Sequence, residues 1–168
     1  MTKLSYAIAI LFVLPMACEN KECCDSPKIL SLNSYNLNGK VVGFSFAEKQ
    51  IISYPNSKNQ KIDFTISAQT NDSGKIVGAF LCNTELTRSF YLANSDSSLD
   101  SAKIYFDFYK MNKDTIFTTF ANYIKPGQVW IIRTNNNLFG KILIYETIAK
   151  EINKTLYAEV TFQWDQLN

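Results

Sequence analysis

The chain has 168 residues, 46% of them hydrophobic and 14% aromatic, with 17 Lys and Arg set against 15 Asp and Glu and not one histidine. Charge this balanced and this dispersed excludes the basic stripe of a nucleic-acid binder. The missing histidine excludes the usual Ser-His and Cys-His nucleophile systems and removes the commonest metal ligand.

At the N-terminus, basic Lys3, an apolar run from Tyr6 to Pro15 and small Ala17 before Cys18 follow the order of a signal peptide over residues 1–17. The run is shorter than the roughly 20 apolar residues that a membrane-spanning helix needs. Leu14-Pro15-Met16-Ala17-Cys18 has the lipobox arrangement, with leucine one place earlier than usual. Cys18 is therefore expected to carry the lipid and to become the mature N-terminus, so that the exported chain is held to a membrane by its acyl chains. Residues 18–38 are expected to form a tether, since Glu19 to Pro27 is polar, charged and without periodicity. Residues 39–168 have the size of one domain. An oxidising exterior favours a bridge from Cys23 or Cys24 to Cys82, the alternative being unpaired thiols. A metal site is not expected from three cysteines without histidine.

From Gly39 onward, short segments rich in Ile, Val, Phe, Tyr and Thr alternate with polar clusters, which predicts an all-β domain of mainly antiparallel sheets. Strands are predicted at Val41–Phe46 and Gln50–Ser53. Lys61 to Ala68 alternates, with Ile62, Phe64, Ile66 and Ala68 on a buried face and Lys61, Asp63, Thr65 and Ser67 on a wet one. After a turn at Asn71-Asp72-Ser73-Gly74, Lys75 to Cys82 is apolar enough to be a central strand. Residues 83–128 are the least regular. Leu99, Ala102, Lys103, Phe106, Tyr109 and Lys110 have helical spacing behind Ser97 and Ser98 as caps, predicting a short helix near 98–110, although Ile104, Phe106 and Phe108 also alternate as in a strand. The last third predicts a three-stranded meander: Gln128–Thr134, a turn at Asn135-Asn136-Asn137 suited to positive backbone angles, Lys141–Ile148 and Lys154–Trp164.

Carboxylates such as Asp63, Glu85, Asp100, Asp107, Glu146 and Glu159 fall at alternating or loop positions where a solvated charge is expected, so no catalytic residues are assigned and the chain is not expected to be an enzyme. Gly127 and Gly140 stand alone at expected turns and make no phosphate loop. The aromatic residues bunch at Tyr105, Phe106, Phe108 and Tyr109, and again at Phe117, Phe120 and Tyr123. Two readings fit them: the wall of a pocket for a flat apolar ligand, or a core beneath a helix.

Val129-Trp130-Ile131-Ile132-Arg133-Thr134, the asparagine turn and Lys141-Ile142-Leu143-Ile144 together resemble the hairpin of HmuY-like lipoproteins of Bacteroidetes, and Phe162-Gln163-Trp164 resembles their closing strand. Gly43-Phe44-Ser45-Phe46 and Ile62-Asp63-Phe64-Thr65-Ile66 are similar to the family's opening strands, so the likeness runs over about residues 40–165. Charged residues directly behind Cys18 resemble the short signals that send lipoproteins of the same bacteria to the outer surface. The resemblance implies an all-β fold, a place at the outer membrane or cell surface, and haem as ligand. The departure is chemical, because the best-known members grip haem iron with two histidines and others with methionines. In the mature part Met111 is the sole methionine. Haem here would take Met111 or a tyrosine such as Tyr105, Tyr109 or Tyr123, or be held by aromatic packing alone. The competing expectation is a surface lipoprotein that binds another small ligand, or that partners an outer-membrane transporter.

Overall fold

The structure, a computed structural model, describes residues 28–35, 40–95, 98–111 and 115–167. The signal peptide, Cys18, Cys23 and Cys24 lie outside the described residues. Ten strands and one helix follow in the order β1 (Ile29–Asn33), β2 (Val41–Ser45), β3 (Gln50–Tyr54), β4 (Thr65–Thr70), β5 (Ile76–Cys82), β6 (Phe90–Asn94), α1 (Leu99–Phe108), β7 (Phe120–Ala121), β8 (Val129–Arg133), β9 (Phe139–Ile152) and β10 (Thr155–Leu167). They form a five-stranded antiparallel sheet in the order β1-β10-β9-β8-β6, a three-stranded sheet β4-β5-β7 and the pair β2-β3. The all-β expectation with one short helix holds. No helix among the described residues is long and apolar enough to cross a membrane.

The C-terminal meander is the frame. Ile152 pairs with Thr155 across a two-residue turn, Asn153-Lys154, whose φ angles of 50° and 64° are those of the I′ turn that matches the twist of a long hairpin. Asn137, with φ 59°, closes the β8–β9 turn as the asparagine run predicts, and the Thr134 N–H donates to the Leu138 carbonyl at 2.8 Å. Both faces of β8 and of the start of β9, Gly140–Ile144, are covered, which explains the apolar runs Val129–Ile132 and Ile142–Ile144. Trp130, Ile132, Ile142 and Ile144 point into the main core, whereas Val129 and Leu143 point to the other face and meet Ala102 and Phe106 of α1. Within the main core Phe44 is the hub: its ring centroid lies 5.0 to 5.5 Å from those of Phe46, Phe64, Phe162 and Trp164.

Helix α1 begins where Ser98 Oγ accepts the Ser101 N–H at 3.3 Å, with Asp100 in the first turn. Its other end is held by a buried lysine from β9. Lys141 Nζ donates to the Phe106 carbonyl at 2.7 Å, sits 4.6 Å from the Phe106 ring centre and lies 3.5 Å from an Asp165 carboxylate oxygen. The ammonium thus satisfies a helix-end carbonyl that would otherwise have no partner.

Four expectations need correction. The tether was drawn to residue 38 and the domain from 39, yet Ile29–Asn33 is strand β1, paired with Glu159–Gln163 of β10, and its Leu32 is fully in the core. Five residues at a sheet edge are too few for periodicity to show. The predicted strand Lys61–Ala68 pairs with β5 only from Thr65, Phe64 bridging to Phe44 instead, and Asp63 is buried rather than wet. Its carboxylate accepts the Phe46 N–H at 2.7 Å and the Asn135 N–H at 2.9 Å, tying the turn after β2 to the turn after β8. Burial pushes this carboxyl up and the two backbone bonds pull it down, burial being the larger. The irregular stretch 83–128 contains β6 and β7, which pair with β8 and β5. Gly140 stands inside β9 rather than at a turn, and a Cβ there would lie 2.1 Å from the Phe46 ring.

Candidate ligand cavity

The far end of the β9–β10 hairpin overhangs β4 and β5, and the gap is a cavity of about 530 Å³. That is within the usual size of a small-molecule site. Its wall takes Tyr35 from just beyond β1, Asn153, Leu156 and Tyr157 from the hairpin, and Ser67 and Phe80 from β4 and β5. Phe80 is itself braced edge-on by Phe120, with centroids 5.7 Å apart. The end of β1 is fixed by two bonds to one residue: Ser34 N–H donates to the Ala158 carbonyl, and Ala158 N–H donates to Ser34 Oγ, each at 2.8 Å.

Tyr157 is the most constrained part of the wall. Its hydroxyl donates to Glu159 at 2.5 Å, the other Glu159 oxygen accepts from Ser31 Oγ at 2.6 Å, and Tyr35 meets the ring at 5.5 Å and 62°. The bond to Glu159 comes first among the effects that push the Tyr157 phenol up to about 12, while the bonds from Ser31 and Tyr157 hold the Glu159 carboxyl below its ordinary value. A phenol kept protonated in this way is a poor source of a phenolate for iron. The wall is shaped for packing and hydrogen bonding rather than for metal coordination.

The four residues named from sequence as iron ligands are not brought to one site, since Tyr123 stands apart from the other three. Tyr105 and Tyr109 stand beside each other on and just after α1, centroids 5.7 Å apart, and burial raises both phenols. Met111 follows them, half-buried. Tyr123 belongs to the other layer, where its N–H donates to Gln69 Oε1 at 3.1 Å. None of the four lines the 530 Å³ cavity. The two readings of the aromatic cluster divide accordingly: Phe106 and Phe117 are buried, Phe117 stacking on Phe139 at 5.8 Å, whereas Phe108 is 79% exposed. Tyr91, Ile116 and Phe120 line a second depression of about 620 Å³, wider and more open than the first.

The remaining candidates have local explanations. Glu85 pairs with Lys61 at 2.8 Å and Asp100 with Lys103 at 3.6 Å, both pairs in solvent, and Asp107 and Glu146 are exposed. Among the described residues no group of three or more Cys, Asp or Glu is placed to hold a metal ion. Cys82 is half-buried with its thiol pushed up by burial, and the cysteines expected to bridge to it lie outside the described residues. Comparison of the chain with protein-family models, with curated proteins and with solved structures finds no match. Sequence reasoning missed Tyr35, Phe80 and Tyr157, which lie far apart along the chain. The Asn153-Lys154 turn signal was available and marks where the cavity lies.

Proposed function

We propose that the chain is an exported, lipid-anchored surface protein of HmuY-like type, and that it acts as a non-catalytic module holding a small ligand in the cavity under the β9–β10 hairpin. The observation that carries this reading is the fixed aromatic wall of Tyr35, Phe80 and Tyr157 around a space of ligand size. Haem enters the proposal as a porphyrin gripped by packing, without an axial ligand from Met111, Tyr105, Tyr109 or Tyr123. The direction of β1 supports the surface role. Its start, Ile29, faces Gln163 and its end leads to the cavity through Ser34 and Tyr35. Ten residues from Cys18 to Lys28 reach at most about 35 Å when extended. An anchor at Cys18 therefore keeps the start of β1 within about 35 Å of the membrane.

The test is titration with haemin and, separately, with the neutral dye Nile red, followed by absorbance and fluorescence. One-to-one binding of either that survives Met111→Ala and is lost in Leu156→Arg is the expected result. Haemin binding that vanishes in Met111→Ala would move the site to α1. Binding of neither ligand would favour the second reading, a partner of an outer-membrane transporter, for which Ile104 and Phe108 are the specific observation: they lie one turn apart on α1 and are 63% and 79% exposed.

A further inference from the structure

The cavity wall holds three aromatic rings and several hydroxyl and amide groups, and among the described residues it holds no charged one. An ionised group moved against such a wall gives up part of its water and finds no countercharge there, which disfavours it relative to a neutral group. The charges of the hairpin itself do not change this. Glu159 is committed to Ser31 and Tyr157, the Lys150 ammonium lies 5.7 Å from the Tyr157 ring centre and acts on Glu159, and Glu151 and the turn residue Lys154 are exposed to solvent and do not line the space. The polar groups that do line the space are uncharged, among them the Ser67 hydroxyl, the Asn153 amide and the Thr155 hydroxyl. None of these three side chains is committed to a hydrogen bond among the described residues. Apolar ring faces with uncommitted neutral donors and acceptors at their edge are complementary to one class of molecule.

Resting on the reading of this cavity as a ligand site, we propose that it selects an uncharged ligand with a flat ring face, laid against Phe80 and Tyr157, and with hydrogen-bonding groups at its edge. A neutral heteroaromatic ring and a pyranose share that chemistry. A porphyrin meets it only with both ionised propionates left outside in solvent. The hairpin position of the wall also makes selectivity adjustable, because Thr155 is exposed and a side chain there enters the site without disturbing the core.

The experiment uses the chain from position 18 onward with Cys18→Ser, which keeps every described residue. Riboflavin and flavin mononucleotide carry the same ring, the first neutral and the second with a phosphate, and their binding is read by flavin fluorescence. Riboflavin is expected to bind at least tenfold more tightly than flavin mononucleotide, and Thr155→Lys is expected to narrow or reverse that ratio with the thermal unfolding midpoint unchanged. Maltotetraose, tested as a competitor and by calorimetry, separates the sources: binding of the sugar without riboflavin assigns the pyranose, and riboflavin alone assigns the heteroaromatic ring. Equal affinity for the two flavins would overturn charge selection while leaving the cavity a ligand site. Binding of Nile red or haemin with no binding of riboflavin or maltotetraose would overturn the requirement for a polar edge. If none of these molecules binds, the proposal and the reading beneath it both fall.

Discussion

The two ends of the five-stranded sheet are both rich in aromatic residues and use them differently. Near the start of β1, Phe44, Phe46 and Phe162 are wholly buried and Trp164 nearly so, packed ring on ring with no polar group between them. At the other end Tyr35 is 55% exposed, Leu156 is 47% exposed, and the Tyr157 hydroxyl is tied to a carboxylate. The first arrangement removes apolar surface from water, which stabilises the fold at about 25 cal/mol per Å². The second leaves apolar surface uncovered but holds it still. An aromatic residue contributes to stability at one end and is available for recognition at the other, and substitutions should separate the two.

The largest effect is expected at the closed end. Phe44→Ala removes the ring that touches four others, and should cost about 4 kcal/mol of unfolding free energy. Leu156→Ala at the open end should cost less than about 0.5 kcal/mol, because an exposed side chain adds little to stability. Chemical denaturation of the two variants beside the parent chain gives both numbers. Comparable losses would mean that the hairpin end is packed more tightly than its exposure indicates.

A second effect lies between the ends, at Asp63. Asp63→Ala leaves the Phe46 and Asn135 N–H groups without their acceptor, and each buried unpaired donor costs about 1 to 3 kcal/mol, so a total loss of about 3 kcal/mol is expected. Asp63→Asn keeps the shape and one carbonyl oxygen, and should recover about half of that loss. An Asn variant no better than Ala would show that both N–H bonds depend on the charge of the carboxylate rather than on its shape.

The same contrast decides what could be read from sequence. The meander β8–β9–β10 was legible because β8 and the start of β9 are apolar runs, the turn between them carries asparagines and β10 alternates, and the helix because Ser98 precedes residues at helical spacing. Strands β1 and β6 were not, since each has five residues and stands at an edge, where pairing on one side relaxes the pattern. Asp63 sits at an alternating position that normally faces water, and its burial depends on two backbone donors, at Phe46 and Asn135, that are distant in sequence. The cavity was illegible for a related reason. Tyr35, Phe80 and Tyr157 are individually ordinary outward-facing residues, and they become a wall only when β1, β5 and β10 are brought to the same place.

The smallest effect tests whether the open end is held as rigidly as its hydrogen bonds suggest. With its phenol raised to about 12, Tyr157 should remain un-ionised when exposed tyrosines have titrated, which ultraviolet absorbance of the phenolate resolves in single-tyrosine difference spectra against Tyr157→Phe. Because the folded value lies above the ordinary value of about 10, the stability from this group is fully present below pH about 10 and is lost as the pH rises through about 12. Glu159 has the opposite sign: its carboxyl is held below the ordinary value, so its contribution is present above the ordinary carboxylate range and is lost as the pH falls through its lowered folded value. In Glu159→Gln the amide oxygen still accepts from Tyr157, but the negative charge that opposes phenolate formation is gone. The phenol should then titrate back toward 10. If it stays near 12, burial rather than the carboxylate holds it, and the Ser31-Glu159-Tyr157 chain is not what fixes the cavity wall.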